Sequence, residues 1–294
     1  MYNGKKIGLF VPTRNGKKDM GILLERVKSS ENLFDEKLAI DTESTDLTVR
    51  LLKGAGFQVQ MIEKQAFNHG RVRKIGIELL HNCDYVVMVT QDVQPTRDAF
   101  LKLIQFIDEH DCMASAYGRQ LVDKRFGSVY EARSRRFNYP EGDCVKSMTS
   151  INKLGIKTIF QSDAFVVYDV GVVQALGNFP EKIPFAEDQY MAAKAILSGY
   201  TVGYAAGAIV YHQHNYTLRE EYQRMKLVGR FNREYKELLS SFGTNEKEGL
   251  RYVFSELKYY WGSGNVLKIP KFLVVSIIKF LGYKVGEKER RYSR

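Results

Sequence analysis

The sequence predicts an α/β fold, a mostly parallel sheet with helices on both faces, followed by a helical extension. Three observations carry this prediction. Apolar runs of strand length alternate with stretches of helical period through the first third of the chain. Polar side chains, Thr13, Asp41 and Asp92, stand where three of those runs end. Beyond Tyr216 the pattern is helical throughout, with no second strand–helix set and no internal repeat.

KIGLFVPTR reads as the first strand, apolar from Ile7 to Val11 and stopped at Pro12, whose missing N–H ends ladder pairing. After a loop, MGILLERVKSS sets Ile22, Leu23 and Val27 on one helix face. EKLAIDTESTDLT gives a second strand that ends at Asp41, and DLTVRLLKGAG a helix closed by Gly54 or Gly56, with Ser44 or Thr45 capping its start near Asp46. FQVQMIE is the third strand, FNHGRVRKIGIELLHNC a loop and helix, and YVVMVTQDVQP the fourth strand. RDAFLKLIQFIDEH is helical, and after ASAYGRQL the stretch EARSRRFNYPEGD reads as a charged covering loop. FQSDAFVVYDVG adds a strand, a helix begins near Glu187, and a last strand runs from Ala208 to His212. Ligands of such sheets bind outside the carboxyl ends of the strands, so Thr13, Asp41 and Asp92 are expected to share one crevice.

Composition bounds the function classes. With 44% hydrophobic and 27% charged residues in 294, the chain suits one large domain, or a domain with a helical appendage, and not a disordered segment. Three scattered cysteines exclude a disulfide framework and a Cys-x-x-Cys metal site, which fits a reducing cytoplasm. The apolar run near the N-terminus is too short for a signal peptide or a membrane span. Lys and Arg total 44 against 34 acids, a net charge of +10 that favours an anionic partner: nucleotide, nucleic acid or acidic membrane. No nucleic-acid-reading motif appears and the lysines are scattered, so nucleic acid is the weaker choice.

In their order along the chain, VPTRNG, IDTESTDLT, FNHGRVR, TQDVQP, YGRQ, FAEDQ and YHQH resemble a bacterial family-2 glycosyltransferase of the GT-A fold, with rhamnosyltransferases the nearest likeness. The resemblance covers roughly residues 5 to 235 and rests on the ordered set, since each motif alone is weak. It implies a single Rossmann-like mixed sheet flanked by helices. Residues 1–215 would then be the catalytic domain, with a nucleotide-binding half at 1–95 and an acceptor-binding half at 96–215, and residues 216–294 a helical region with a basic amphipathic tail.

The resemblance also assigns roles. Against the family's Asp-x-Asp, Asp92 takes the second, metal-ligating position and Thr90 the first, with Gln91 between them. Hard oxygen ligands suit Mg²⁺ or Mn²⁺ bridging a diphosphate. His212 is the implied second ligand; His214, two residues on, would face the same way on a strand. Asp188, beside Glu187 in the first turn of its helix, is implied as the general base of an inverting transfer. Asp41 would read a uracil or thymine ring, edged by Pro12, Thr13 and Arg14. Asn68, His69, Gly70 and Arg71 suit a diphosphate or an acidic acceptor, while Tyr117, Gly118, Arg119 and Gln120, with Glu187, fall where relatives build the sugar and acceptor pocket.

Each assignment has a plainer counterpart. Asp92 also suits a turn cap, and Glu187 with Asp188 a helix N-terminus, where the macrodipole favours acids. His-x-His is common as packing, and FNHGRVRK also fits a solvated helix start.

In the C-terminal third, IPKFLVVSIIKFLGYK holds an apolar run of about thirteen residues, too short to span a bilayer. From Lys271 to Arg294 seven basic residues face two glutamates, which suits an anionic leaflet; the competing reading is a helix that packs on the core or pairs two copies. The resulting expectation is an inverting, metal-dependent enzyme moving L-rhamnose from dTDP-β-L-rhamnose to a hydroxyl of a lipid-linked cell-surface polysaccharide precursor. It would sit in the cytoplasm, peripheral to the membrane. A UDP-hexose donor is the alternative within the class, and a basic binding or non-catalytic interaction protein the alternative outside it.

Overall fold

The computed structural model describes the chain except for Lys124, Phe126, Asn215 and residues 290–294, so the end of the basic tail lies outside the described residues. The first half runs β1 (Ile7–Thr13), α1 (Gly21–Ser29), β2 (Glu36–Thr42), α2 (Thr48–Gly54), β3 (Gln58–Ile62), α3 (His69–Leu79), β4 (Tyr85–Val89), β5 (Gln94–Pro95), α4 (Ala99–Asp108) and β6 (Met113–Leu121). It continues with α5 (Val129–Asn138), β7 (Cys144–Lys146), α6 (Ile151–Leu154), β8 (Phe165–Asp169), α7 (Val170–Ala175), α8 (Glu187–Leu197) and β9 (Thr201–Tyr211). Four helices close it: α9 (Leu218–Glu234), α10 (Lys236–Leu239), α11 (Asn245–Gly262) and α12 (Ile269–Lys288).

One sheet organises the chain, in the order β3-β2-β1-β4-β8-β6-β9-β5, with β7 paired to β9. The strands β1 to β4 are parallel, as the alternation requires, but β8 runs antiparallel to both β4 and β6, so the sheet is mixed. The apolar run of β8 marks a buried strand without encoding its direction. Alternate residues of β1 and β4 enter different cores. Phe10, Val86 and Met88 join Val72, Ile77 and Met191 from α3 and α8, whereas Leu9, Val87 and Val89 meet Leu23, Leu52 and Leu103 from α1, α2 and α4. Burial on both sides explains why these strands read as continuous apolar runs.

Three sequence expectations are corrected. The stretch read as a charged loop is largely helix α5, whose start is capped by the Ser128 side chain accepting from Glu131 N–H. It has no buried residue, hence no apolar period to betray it; instead Arg133 pairs at 2.9 Å with the fully buried Glu256 of α11. The last strand begins at Thr201, not Ala208, and stops at Tyr211, so neither histidine lies on it. Finally, neither Ser44 nor Thr45 caps α2; Asp46 takes the Thr48 N–H at 2.9 Å, while Ser44 turns back to Asp41.

The C-terminal helices dock on this frame. Lys157 reaches Glu248 of α11 at 3.0 Å, and α12 lies against α9 with bare backbone at the seam. A Cβ on Gly229 would stand 2.1 Å from the Tyr283 carbonyl oxygen, and one on Gly286 2.0 Å from that of Lys226.

Candidate active site

Beyond the end of β4, Asp92 meets the two histidines that follow β9. His212 Nε2 lies 3.3 Å and His214 Nδ1 3.9 Å from Asp92 Oδ2, and the three ligand atoms fall within 4.8 Å of one another. The convergence comes from the chain leaving β9: the His212 N–H bonds to Leu121 O at 2.9 Å, and the Glu131 carboxylate of α5 accepts from His214 N–H at 2.7 Å. Thr90, standing in the first acid position, donates its hydroxyl to Asp92 Oδ1 at 2.7 Å and so aims the carboxylate. Gln91 faces away, pairing by its amide with the backbone of Arg14 at 2.9 and 3.0 Å.

The proton positions here follow from Gln120, which is fully buried. Its Oε1 accepts from Arg135, a guanidinium that can only donate, and its Nε2 donates to Ser162 Oγ at 2.8 Å. His212 Nδ1, 3.0 Å from the same Oε1, must therefore carry its proton, which leaves the neutral ring's Nε2 lone pair facing Asp92 Oδ2. Two acceptors aimed at one another at 3.3 Å call for a cation between them or a proton on the ring. With the His212 ring protonated, its hydrogen bond and charge, helped by Thr90 and His214, hold the Asp92 carboxyl far below the usual carboxylate range against the opposing effect of burial. Burial and the neighbouring His212 bring His214 down to about 4, so it stays an unprotonated donor at neutral pH. One carboxylate and two imidazoles fit a divalent cation.

The second cluster lies at the start of α8. Ala186, in the left-handed region with φ 61°, turns the chain so that Glu187 and Asp188 open the helix. Arg73, buried on α3, binds Asp163 and, at 2.9 Å, Glu187. Tyr168 donates its hydroxyl to Asp163 at 2.6 Å. Among the described residues the Asp188 carboxylate accepts only backbone N–H groups, from Gln189 at 2.7 Å and Asp163 at 3.4 Å, with no cation bonded to it, while the Asp188 carbonyl accepts from Gln161 Nε2 at 2.9 Å. Burial, with the charges of Asp163 and Glu187 added, pushes its pKa well above the ordinary carboxylate value; Asp163 rises to about 6 by burial against the pull of Arg73. A carboxylate with a raised proton affinity and no cation partner is a candidate general base.

The two clusters are joined. Asp92 touches His212, His212 bonds to Gln120, Gln120 to Ser162, and the next residue, Asp163, gives its N–H to Asp188. Thr90 N–H also bonds to Ala164 O at 3.1 Å. The segment Gln161–Ala164 thus splices both centres, a role the sequence reading missed because it took FQSDAFVVYD as strand alone. Arg135 and Arg224, which bring positive charge to His214 and Tyr216, were also missed. They come from α5 and α9, and no motif links them to the sheet.

The remaining site residues divide. Thr13 donates to Asp41 at 2.9 Å, and Asp41, fully buried, also accepts the Ser44 N–H and hydroxyl, so a base reaching it must share or displace Ser44. Pro12 pairs with Ile40 inside the sheet, and Arg14 is exposed at the rim. Asn68 caps α3 by accepting from Gly70 N–H, and Gly70 packs so closely that an added Cβ would lie 2.0 Å from Pro180 O. His69 is half-exposed, 3.8 Å from Glu187, and Arg71 faces solvent. Of YGRQ, Tyr117 is buried among Tyr139, Phe160 and Tyr204, and Gly118 is crowded by Phe165. Both lie in the sheet interior; Arg119 leans outward, to Glu141 at 3.5 Å.

The mixed sheet, the acid–histidine cluster beyond β4 and the acid at the start of α8 agree with the GT-A glycosyltransferase resemblance of the sequence. Residues 9–176 match the family model described as glycosyl transferase family 2, and the chain belongs to that family. Among curated proteins it is 36% identical over 284 residues to the O-antigen chain rhamnosyltransferase RfbN of Salmonella typhimurium, covering 96% of this chain and 90% of that one. It is 34% identical over 281 residues to the O-antigen chain rhamnosyltransferase WbaN of Salmonella anatum, covering 95% and 88%. Among solved structures, the mannosyltransferase PcManGT of Pyrobaculum calidifontis, in complex with GDP-Man and Mn²⁺, superposes with a TM-score of 0.62 at 12% identity, over 97% of this chain and 88% of that one.

Proposed function

We propose that the enzyme transfers L-rhamnose, with inversion, from dTDP-β-L-rhamnose to a hydroxyl of a lipid-linked O-antigen or capsule-type saccharide at the cytoplasmic face of the membrane. The observation that carries this reading is the run of contacts from Asp92 through His212, Gln120 and Ser162, and across the Ser162–Asp163 peptide bond, to Asp188. It holds a donor centre and a base in fixed relation, as direct displacement requires. The relatives named above favour rhamnose and an O-antigen-type acceptor.

Asp92, His212 and His214 would hold Mg²⁺ or Mn²⁺, which offsets charge on the departing diphosphate. Asp188 takes the acceptor hydroxyl's proton as that oxygen attacks the anomeric carbon and the bond to dTDP breaks, giving an α-L-rhamnoside. Arg224, whose guanidinium sits 5.7 Å from the Phe185 ring and 6.0 Å from the Tyr216 ring, offers positive charge to the diphosphate from the C-terminal region. Thr13, Arg14 and Asp41 form the base end of the donor site.

The test is release of free nucleoside diphosphate from dTDP-L-rhamnose, UDP-glucose and UDP-galactose, with Mn²⁺ or EDTA. Release from dTDP-L-rhamnose alone, abolished by EDTA and by Asp92→Ala, is expected. Release from a UDP-sugar instead would discard rhamnose.

A further inference from the structure

The helix α12 buries Phe272, Gly282, Tyr283 and Gly286 towards α9 and the core, yet its other side is apolar as well. Leu273, Val274, Ile277, Phe280, Leu281 and Val285 are all exposed, spaced three and four apart, so they form one stripe along the helix. The turn that precedes it continues the pattern: Trp261 is 76% and Leu267 93% exposed. A monomeric protein seldom leaves such a stripe to water without a partner.

Charge decides which partner. From Leu257 to Gly286 there are five lysines and no acid. Lys279 and Lys284 are spent internally, on Glu221 at 3.1 Å and Glu246 at 2.6 Å. Lys258, Lys268 and Lys271, around the turn, make no ion pair among the described residues, and Lys271 rests over the Tyr130 ring at 5.4 Å. A second copy on this face would bring lysines against lysines with no acid to answer them, whereas an anionic lipid surface answers both the stripe and the charge. No described helix is long and apolar enough to cross a membrane.

We propose that the α11–α12 turn and the outer stripe of α12 lie on an anionic bilayer, with Trp261 and Leu267 entering the headgroup boundary. The proposal takes its purpose from the lipid-linked acceptor read above, but its test does not depend on the donor.

Trp261 is the chain's single tryptophan, so its emission reports this turn alone. Full-length protein is mixed with vesicles of phosphatidylcholine, or of phosphatidylcholine and phosphatidylglycerol, then floated while emission is recorded. The expected result is flotation and a blue shift with the anionic vesicles only, weakened by salt. Each of Lys258→Glu and Lys268→Glu should weaken binding by roughly fivefold or more at low salt. Leu267→Glu with Ile277→Glu should abolish flotation and leave dTDP binding unchanged; both side chains are exposed, so folding is spared. Unshifted emission with anionic vesicles, or undiminished flotation of the double variant, overturns the proposal. So does a wild-type dimer that the double variant converts to monomer in sedimentation with no change in flotation, which would assign the face to a second copy. Failure of dTDP binding with intact flotation would count against the donor reading and not against this surface.

Discussion

Replacing Gln120 by alanine separates the two readings of that residue most cleanly. Its amide accepts from Arg135 and from His212 Nδ1 at 3.0 Å and donates to Ser162 at 2.8 Å, all without solvent access. Truncation leaves the His212 N–H and an Arg135 N–H without their acceptor, at about 1–3 kcal/mol each where water cannot replace it. The ring is then free to turn its Nε2 away from Asp92. Loss of a partner that orients a metal-binding histidine weakens metal affinity about 10–100-fold, or about 1.4–2.7 kcal/mol. The assay is Mn²⁺ titration in the presence of dTDP, followed by electron paramagnetic resonance. Gln120→Ala should bind Mn²⁺ at least tenfold more weakly, and Gln120→Glu, which retains both acceptor contacts, should recover most of the loss. If Gln120→Ala binds Mn²⁺ like wild type while the KM for acceptor rises, the orienting role is refuted and Gln120 belongs to a sugar pocket.

Four further outcomes are expected. Asp188→Asn should abolish transfer yet bind donor. Because Asp188 and Asp163 have raised pKa values in the folded state, their contribution to stability is complete below the unfolded carboxylate range and lost as pH rises, for Asp163 through about 6; thermal melts from pH 4 to 8 should therefore fall less steeply in Asp188→Asn than in wild type. Arg73→Met strands the buried Asp163 and Glu187 and should cost about 3–5 kcal/mol in urea unfolding, a loss that a surface change such as Arg71→Met does not reproduce. Gly286→Ala drives a methyl into the Lys226 carbonyl and should lower stability by about 1–3 kcal/mol or more by calorimetry; an unchanged melting temperature would contradict the close approach.

The frame was legible because strands buried on both faces write themselves as apolar runs. β1, β2 and β4 and the polar ends at Thr13, Asp41 and Asp92 follow from that, whereas the edge strand β3 is largely exposed. Direction and pairing are not written in such runs, so the antiparallel β8 was not readable. The acid–histidine cluster came from motif order, and its stated basis, two histidines alternating on a strand, was not the actual one: both lie past the end of β9. YGRQ shows the limit of motif reading. The alternation of β6 sends Tyr117 into an aromatic core, while Gln120, on the other parity, reaches His212. Helix α5 escaped because a helix held by ion pairs at its surface carries no hydrophobic period.

The seam between α9 and α12 closes on backbone at Gly229, Gly282 and Gly286, with no side chain between to yield. Such a joint has no graded intermediate: it is shut or it is open. α9 starts four residues after His214 and carries Arg224, so the same rod that receives the tail borders the acid–histidine cluster. Cutting the chain before Pro270 would uncover one wall of that joint and loosen the other end of α9 with it. The tail is a fitted strut of the enzyme, and shortening it to probe localisation would change turnover at the same time.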